Sequence, residues 1–297
     1  MAEVSVSYII VNFRTADLVL RCIDSIREHT RQQPYEIIVV DNASGDDSVE
    51  KLGSLSGVTF IANGANAGFG AANNRGAELA RGKYLFFLNP DAYLLNDATA
   101  VFTAFMDDPK NAGVGCCGGD LSDGSGNPQM SYGNLPSLLE VFSQLGFYML
   151  YPGYYARHLS TSLRNSSEAV REVGYVLGAA MFMPAPLFKR VGGFDEQFFL
   201  YFEETELAHR LKKNGRRSVI VPQAKIVHLE GSFDKGGEPH YAKIGWFSES
   251  RQLYFRKTGG AAVALLVKIL LASQAFAQWI YHRKSHYIKV FRILVKS

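Results

Sequence analysis

The chain has 297 residues, of which 47% are hydrophobic and 20% are charged. This composition excludes a disordered chain and provides enough apolar surface for one large core or two modest ones. The formal net charge of +3 is far below the basic excess with which proteins bind nucleic acid through its phosphates, so no nucleic-acid partner is expected.

The basic surplus is local. Residues 251–297 contain many Lys and Arg, and no acidic residue follows Glu249. That asymmetry predicts a segment facing an anionic surface. The three cysteines, Cys22, Cys116 and Cys117, have no CxxC spacing, which favours reduced thiols over a zinc or redox site. The N-terminus has no basic region before its apolar stretch, so it predicts an opening strand and a cytoplasmic protein.

Four apolar segments in the first half predict buried strands, at residues 4–11, 35–41, 58–61 and 84–88. Helical patterns lie between them, including a small-residue helix that we expect to end at Gly82. Strands separated by single helices indicate βαβ units, and near-continuous apolar runs indicate strands covered on both faces. We therefore predict an α/β fold with a mostly parallel central sheet flanked by helices.

A polar residue follows each of these strands. In parallel sheets, ligands bind beyond the carboxyl ends of the strands. A single Asn or Asp at such a position is most simply a turn or cap residue, but four polar exits together favour a site for a polar small molecule. The exits are Asn12 and Phe13, Asp41 and Asn42, Asn63 and Asn66, and Asn89 and Asp91.

The glycine-rich segment NAGFGAANNRG at residues 66–76 does not match a nucleotide fingerprint. A GxGxxG motif would need glycine where the chain has Asn73, and the P-loop pattern is absent. This mismatch disfavours a dinucleotide-dependent oxidoreductase. The small residues would allow either a ligand or the sheet to approach the helix closely, and both interpretations stay open.

In the second half, residues 176–183 predict another buried strand, and a helix is expected from Glu203 to its terminator Gly215. Residues 138–172 carry aromatic and basic patches that the sequence does not assign to elements. Glu203, Glu204 and Glu206 crowd the start of the helix. The helix dipole accounts for one or two of them, but a carboxylate beside the apolar run FFLYF can also have the raised pKa of a general base.

Five segments together resemble the GT-A fold, family 2 inverting glycosyltransferases, especially their bacterial rhamnosyltransferase-like branch. They are VSYIIVNF, EIIVVDNASGDDS, NAGFGAANNRGAELARGKYLFFLNPDAYL, GGFDEQFFLYFEETELAHRLKKNG and HLEGS at 228–232. The resemblance implies a GT-A domain over residues 1–257, with a nucleotide-binding half at 1–115 and an acceptor or catalytic half at 116–257. Residues 258–297 would form a separate helical, basic segment.

The resemblance implies a role for each matching residue. Asn12, Phe13, Asp41 and Asn66 would surround the base and ribose of the nucleotide, with Gly68, Phe69 and Asn73 lining the same pocket. Asn89 and Asp91 of NPD correspond to the family's DxD motif, so Asp91 would hold a divalent metal, Mg²⁺ or Mn²⁺, at the diphosphate. Asn89 removes one of the usual negative charges, and His228 would be a further metal or diphosphate contact unless it is structural.

The family's base motif matches Glu203 and Glu204, which makes Glu204 the candidate base and leaves Glu203 and Glu206 as alternatives. The basic stretch SRQLYFRK would place Arg251, Arg256 and Lys257 near the leaving diphosphate. The implied activity is inverting transfer of a sugar, best assigned as L-rhamnose from dTDP-L-rhamnose, to a lipid-linked or polysaccharide acceptor in O-antigen or cell-wall synthesis.

The segment at 261–284 is nearly long enough to span a bilayer, but Lys268, Ser273, Gln274 and Gln278 interrupt it. With Trp279, Tyr281 and the basic residues that follow, it favours a peripheral anchor over residues 261–297 at the inner face of the cell membrane. Three alternative interpretations of this segment remain: a helix that spans the membrane, a helix packed on the protein itself, and a helix packed in a homodimer. The alternative function is a non-catalytic sugar-nucleotide or polysaccharide binding protein on the same fold.

Overall fold

The computed structural model describes residues 4–158, 168–229 and 240–297. These residues form two compact units. The sheet unit comprises the described residues of 4–135, 168–197 and 203–229, and the helical unit those of 136–158, 198–202 and 240–297.

The strands all belong to the sheet unit. They are Val6–Asn12 (β1), Tyr35–Asp41 (β2), Val58–Ala62 (β3), Tyr84–Leu88 (β4), Ala92–Leu94 (β5), Val114–Ser122 (β6), Tyr132–Gly133 (β7), Arg171–Val173 (β8), Tyr175–Val176 (β9), Ala180–Pro184 (β10) and Arg217–His228 (β11).

The helices divide between the units. Those of the sheet unit are Ala16–His29 (α1), Ser48–Gly53 (α2), Phe69–Leu79 (α3), Ala98–Asp107 (α4), Ala185–Arg190 (α7) and Glu203–Lys213 (α8). Those of the helical unit are Leu138–Gln144 (α5), Pro152–His158 (α6), Tyr241–Gly259 (α9), Ala261–His282 (α10) and Ser285–Lys296 (α11). Short 3₁₀ helices span Pro109–Asn111 and Phe147–Leu150.

The central sheet has the strand order β3-β2-β1-β4-β10-β6-β11-β5, with β8 also paired to β11. The first four strands are parallel, as predicted. β10 runs antiparallel between β4 and β6, whereas β11 is parallel to β6. The predicted α/β fold is therefore confirmed, and the sheet is mixed in its second half, because an apolar run predicts a buried strand without its direction.

Side chains alternate between the two covered faces of the sheet. Tyr8 of β1 belongs to the apolar cluster that includes Val19 of α1 and Phe102 of α4. Its neighbour Ile9 belongs to the cluster on the other face, with Leu207 of α8. Burial on both faces explains why β1, β2 and β4 are nearly continuous apolar runs. It also directs the polar residues of these strands to the strand ends.

Two predicted helix ends can be compared with the structure. α8 ends at Lys213, and Gly215 follows with φ +69°, as expected of a helix terminator. The prediction that α3 runs to Gly82 is wrong, since α3 ends at Leu79. Gly82 instead lies where an added β-carbon would be 2.6 Å from the Ser7 nitrogen, so it permits a close approach to β1.

The helical unit has its own apolar core. Tyr254 of α9, Val267 and Leu271 of α10 and Leu294 of α11 are buried together with Val141 of α5. Among the described helices, α10 alone is long and apolar enough to cross a membrane, with 22 residues and a mean hydropathy of 1.7. The predicted division of the chain at residue 257 stays a prediction.

Gly76 tests how closely α3 packs on the sheet. A β-carbon there would lie 2.6 Å from Ile9 Cγ2 and 3.3 Å from Val40 Cγ2. We expect Gly76→Val to lower the free energy of unfolding by about 2 kcal/mol or more, because overpacking a close helix–sheet contact forces side chains or backbone to shift. Urea unfolding measures the change. Gly64→Val is the matched control, since nothing lies within 4 Å of its β-carbon; equal stability of both variants would contradict the close packing.

Candidate functional site

The exits of β1 and β2 are joined by a buried polar network around Asp41, which is 1% exposed. Its carboxylate accepts hydrogen bonds from Asn12 Nδ2 at 2.7 Å, from the Ser44 hydroxyl, and from the Ser44 backbone N–H at 3.1 Å. The Asn12 amide oxygen accepts from the backbone N–H and hydroxyl of Thr15, at 3.1 and 2.8 Å. Asn12 and Asp41 therefore fix the two strand exits relative to each other. Phe13, which directly follows Asn12, is 41% exposed.

Asn42 organises the adjoining loop after β3. Its amide nitrogen donates to Asn66 Oδ1 at 2.8 Å and to the Gly68 carbonyl at 3.2 Å. Its amide oxygen accepts from Asn63 Nδ2 at 2.9 Å and from the Ala67 backbone N–H at 3.1 Å. One buried side chain thus shapes the entire segment that leads into α3.

α3 begins with the residues expected near the nucleotide. Gly68 precedes the helix with φ +90°, a conformation that only glycine adopts readily. Asn73 is buried, and its side chain donates to the Phe69 carbonyl at 3.0 Å. Gly70 packs against another element: a β-carbon there would lie 3.0 Å from Phe194 Cβ and 3.5 Å from Glu203 Cβ. The small residues of α3 therefore serve close packing at Gly70 and Gly76.

Gly178, in the turn before β10, is the point where the separate parts of the site meet. A β-carbon on Gly178 would lie 3.7 Å from Phe69 Cε1 and 3.8 Å from Glu204 Cδ. The backbone N–H of Gly178 donates to the Glu204 carboxylate. The carbonyl of the next residue, Ala179, accepts from the Asn89 backbone N–H at 2.9 Å. The structure therefore brings Phe69, Asn89 and Glu204 together around one turn.

Glu203 and Glu204 occupy the first turn of α8 in different environments. Glu203 is 4% exposed, and its Oε2 has no hydrogen-bond partner among the described residues. Burial raises the pKa of Glu203 well above its ordinary value, and the neighbouring Glu204 charge adds to the rise. Glu204 is half-buried. Burial raises its pKa to about 7, although the backbone N–H groups of Glu204, Thr205 and Gly178 favour the ionised form.

Glu206 has a structural role. Both of its carboxylate oxygens accept from Arg210 Nε at 2.8 Å. Arg210 also donates to the carbonyls of Val191 and, at 2.7 Å, Gly193. The pair therefore ties α8 to the Gly192-Gly193 turn that precedes Phe194, and the charge-assisted contacts occupy both oxygens of the Glu206 carboxylate.

Asp91 and His228 lie side by side at the end of β11. β11 pairs with β5 so that His228 stands opposite Ala92, and His228 Nε2 is 3.4 Å from Asp91 Oδ1. The side chain of Asp91 is 12% exposed and that of His228 is 9% exposed. His228 Nδ1 and Asn89 Oδ1 are buried without a hydrogen-bond partner among the described residues. The remaining positions of the HLEGS motif, residues 230–232, lie outside the described residues.

The chemistry of these groups suits a divalent cation. A carboxylate, an imidazole and an unpartnered amide oxygen are suitable ligands for Mn²⁺, and Mg²⁺ would use chiefly the oxygens. The described residues contain no group of three or more His, Cys, Asp or Glu side chains that could hold a metal ion by themselves. Diphosphate oxygens and water are suitable further ligands for a cation at Asp91.

The predicted basic residues belong to the helical unit. Arg251, Arg256 and Lys257 all lie on α9. Arg251 packs 5.5 Å from the centroid of the Phe247 ring, and burial lowers its pKa to about 10. Arg256 and Lys257 are exposed in the last turn of the helix. Their assignment to the diphosphate stays a prediction.

Sequence reasoning did not assign a role to Ser44, Asn42 or Gly178. Asn42 was visible as a polar strand exit, but its four hydrogen bonds depend on the loop conformation. Gly178 lay within an apolar run that predicted only a strand. The available signal is that the small residues Gly178, Ala179 and Ala180 interrupt this apolar run, because glycine within a strand pattern often marks a bend or a break in the strand.

Comparison with known proteins identifies relatives along most of the chain. The family model described as "Glycosyl transferase family 2" matches residues 7–175. The N-acetylglucosaminyl-diphospho-decaprenol L-rhamnosyltransferase of Mycobacterium tuberculosis is 27% identical over 213 residues, covering 66% of this chain and 67% of that protein. The rhamnosyltransferase WbbL of Escherichia coli K12 is 23% identical over 259 residues, covering 84% of this chain and 89% of the relative.

A solved structure shares the fold. The mannosyltransferase PcManGT of Pyrobaculum calidifontis, in complex with GDP-Man and Mn²⁺, superposes with a TM-score of 0.56 at 15% identity, over 98% of this chain and 84% of that one. The family match covers more than half of the sequence. The chain therefore belongs to glycosyl transferase family 2, and it is a rhamnosyltransferase-like glycosyltransferase with a GT-A fold.

Proposed function

We propose that this enzyme transfers L-rhamnose from dTDP-L-rhamnose, with inversion, to a lipid-linked or polysaccharide acceptor in O-antigen or cell-wall synthesis. The names of the Mycobacterium and Escherichia relatives support the sugar and, for the former, a lipid diphosphate acceptor. The observation that carries the mechanism is the half-buried Glu204 carboxylate, with its pKa raised to about 7, beside Phe69 and Gly178.

The donor nucleotide would bind at the strand exits. The exposed ring of Phe13 is suited to stack on the base, and Asn66, Gly68 and Phe69 would line the pocket beside it. Asn12, Asp41 and Asn73 use their polar atoms within the protein. Their contribution to nucleotide binding would therefore be mainly to hold the loops in position.

The diphosphate would lie at Asp91. Asp91, with His228 and the Asn89 amide oxygen, would hold the divalent cation, Mg²⁺ or Mn²⁺, and the cation would supply positive charge to stabilise the leaving diphosphate. The PcManGT complex contains both GDP-Man and Mn²⁺, which supports the same combination of sugar nucleotide and metal here. Arg251, Arg256 and Lys257 are the further candidates for stabilising the leaving group.

Glu204 is the best candidate for the general base among the three glutamates. Glu206 is held by Arg210, and Glu203 is almost fully buried. Glu204 is partly exposed, and its pKa is raised to about 7. A general base with a pKa near neutral pH is both substantially ionised and basic enough to accept a proton.

The reaction is a single displacement. Glu204 accepts the proton of the acceptor hydroxyl as that oxygen forms a bond to the anomeric carbon. The bond from the anomeric carbon to the diphosphate oxygen breaks on the opposite face, and the nucleoside diphosphate leaves with the electron pair. The acceptor would be presented at the inner face of the cell membrane, consistent with a peripheral contact through residues 261–297 and a cytoplasmic catalytic site.

Glu204→Gln tests the base. We expect turnover to fall by 10²- to 10⁴-fold, roughly the contribution of a general base, while nucleotide binding is retained. The variant should be at least as stable as the wild type at pH 8, because the raised pKa means that ionising Glu204 costs folding free energy as pH rises from 4.5 to about 7. Turnover assays, calorimetry and urea unfolding measure the three quantities. Glu172→Gln, at an exposed position, is the control and should keep wild-type turnover. Unchanged turnover in Glu204→Gln would rule out Glu204 as the base.

The pH dependence follows from the same carboxyl group. Below about pH 7 the base is protonated, so kcat/KM should fall about tenfold for each pH unit and level off above that value. Initial rates between pH 5 and 9 measure the profile, with Glu172→Gln as a control that should keep the midpoint. A rate that is independent of pH from 5 to 7 would contradict a raised pKa.

Metal-dependent nucleotide binding tests the role of Asp91. We expect dTDP to bind more tightly with Mn²⁺ or Mg²⁺ than without, and Asp91→Asn to remove most of that gain because it removes the charged ligand. Isothermal titration with dTDP, UDP and GDP also tests the donor class. Asp24→Asn, on the exposed surface of α1, is the matched control. Equal affinity with and without metal would argue against this site, and preference for UDP or GDP would overturn the dTDP assignment.

A further inference from the structure

α10 carries an apolar stripe that faces away from the core of the helical unit. Leu265, Ile269 and Ile280 are 57%, 53% and 47% exposed, and Phe276 between them is 40% exposed. Their spacing places them on one face of the helix over about 22 Å, with Ser273 as the polar interruption. The opposite face, including Val267 and Leu271, is buried in the unit's core.

A second apolar exposure lies in the same unit. The 3₁₀ turn Phe147–Leu150 follows α5 and exposes four large apolar side chains in succession; Met149 and Leu150 are 71% and 79% exposed. Gln274 Nε2 of α10 donates to the Gln144 carbonyl at the end of α5, at 3.4 Å. The turn therefore begins three residues from a contact with α10. The two apolar exposures belong to one packed body.

The helix next to the stripe is basic on its exposed face. Phe276 packs 5.3 Å from Phe291 of α11, so the stripe runs beside α11. Lys289, Arg292 and Lys296 are exposed on α11 at helical spacing. Residues 240–297 contain ten Lys and Arg against a single acidic residue, Glu249, whereas residues 1–239 contain 21 Lys and Arg against 27 acidic residues. The positive charge is therefore concentrated in the part of the chain that exposes the stripe.

The packing of α10 favours a helix lying in the plane of a membrane surface over one that spans it. A spanning α10 would give up the burial of Ala264, Val267 and Leu271 against α9 and α11. α11 would also have to enter or cross the apolar layer with its three basic side chains. An in-plane helix keeps these contacts and buries only the outward stripe.

We propose that the helical unit is a monotopic membrane anchor, in which the α10 stripe and the Phe147–Leu150 turn enter the interface of an anionic bilayer and the basic face of α11 binds its headgroups. A second copy of the chain fits this surface less well. An isologous dimer would bring two bodies of the same strong positive charge together, whereas an anionic bilayer neutralises them. The membrane contact itself does not depend on the proposed function. Only its purpose, which is to hold the enzyme where a lipid-linked acceptor is presented, rests on that function.

Vesicle sedimentation of the full-length protein tests the anchor. We expect binding to vesicles of phosphatidylcholine with phosphatidylglycerol, much weaker binding to phosphatidylcholine alone, and release by high salt. Replacing Leu265, Ile269 and Ile280 together by Gln should weaken binding at least about tenfold. Replacing Lys289, Arg292 and Lys296 together by Gln should weaken it about a hundredfold, and Met149→Ser with Leu150→Ser should also reduce it.

The control replaces exposed apolar residues of the sheet unit, Val49, Leu79 and Leu95, by Gln; these are 49%, 53% and 49% exposed, and vesicle binding should not change. Circular dichroism and dTDP binding in solution report separately on folding and on the donor site. Vesicle binding without nucleotide binding would keep the anchor and remove the proposed function. The anchor is overturned if the wild-type protein does not bind anionic vesicles, if the stripe variant binds them unchanged, or if the stripe variant converts a wild-type dimer to a monomer.

Discussion

The peptide of Gly178 is the constraint on which the arrangement of the candidate site depends. Its N–H group donates to the Glu204 carboxylate, and its missing side chain leaves the space between that carboxylate and the Phe69 ring open. The adjoining Ala179 carbonyl holds the backbone of Asn89, where β4 ends. One turn before β10 thereby brings together the expected base Glu204, the start of α3 at Phe69, and the NPD segment. The antiparallel insertion of β10 beside β4 makes this convergence possible.

This arrangement has a cost in stability. Two adjacent carboxyl groups are withdrawn from water at the start of α8, and burial raises the pKa of both. The two residues before them, Tyr201 and Phe202, have φ values of +71° and +68°. Side-chain-bearing residues in this region carry about 1–3 kcal/mol of strain each, which persists only where surrounding structure enforces it. Strain and unfavourable ionisation at one point are typical of a site retained for chemistry over stability.

The sequence predicted the strands of the first half well, because β1, β2 and β4 are buried on both faces and apolar throughout. It also predicted that polar side chains meet at their carboxyl ends, since parallel strands share that edge. It could not predict the direction of β10 or the role of Gly178, which depend on tertiary pairing. The small residues of α3 permitted two interpretations, and the contacts at Gly70 and Gly76 favour close packing.

In the proposed function, the candidate site would carry out the sugar transfer, and the charged helical unit would hold the enzyme at the membrane that presents the acceptor. The sheet unit contributes a polar edge and the Glu204 carboxyl group, whose pKa is raised to about 7. The helical unit contributes a basic, partly apolar surface. The central claim is that Glu204 is the proton acceptor. The most direct measurement is a ¹³C NMR titration of the Glu204 carboxyl, assigned by comparison with Glu204→Gln. We expect a pKa of about 7; a value near the ordinary 4.5 of a glutamate would contradict the raised pKa on which the choice of Glu204 as the base rests.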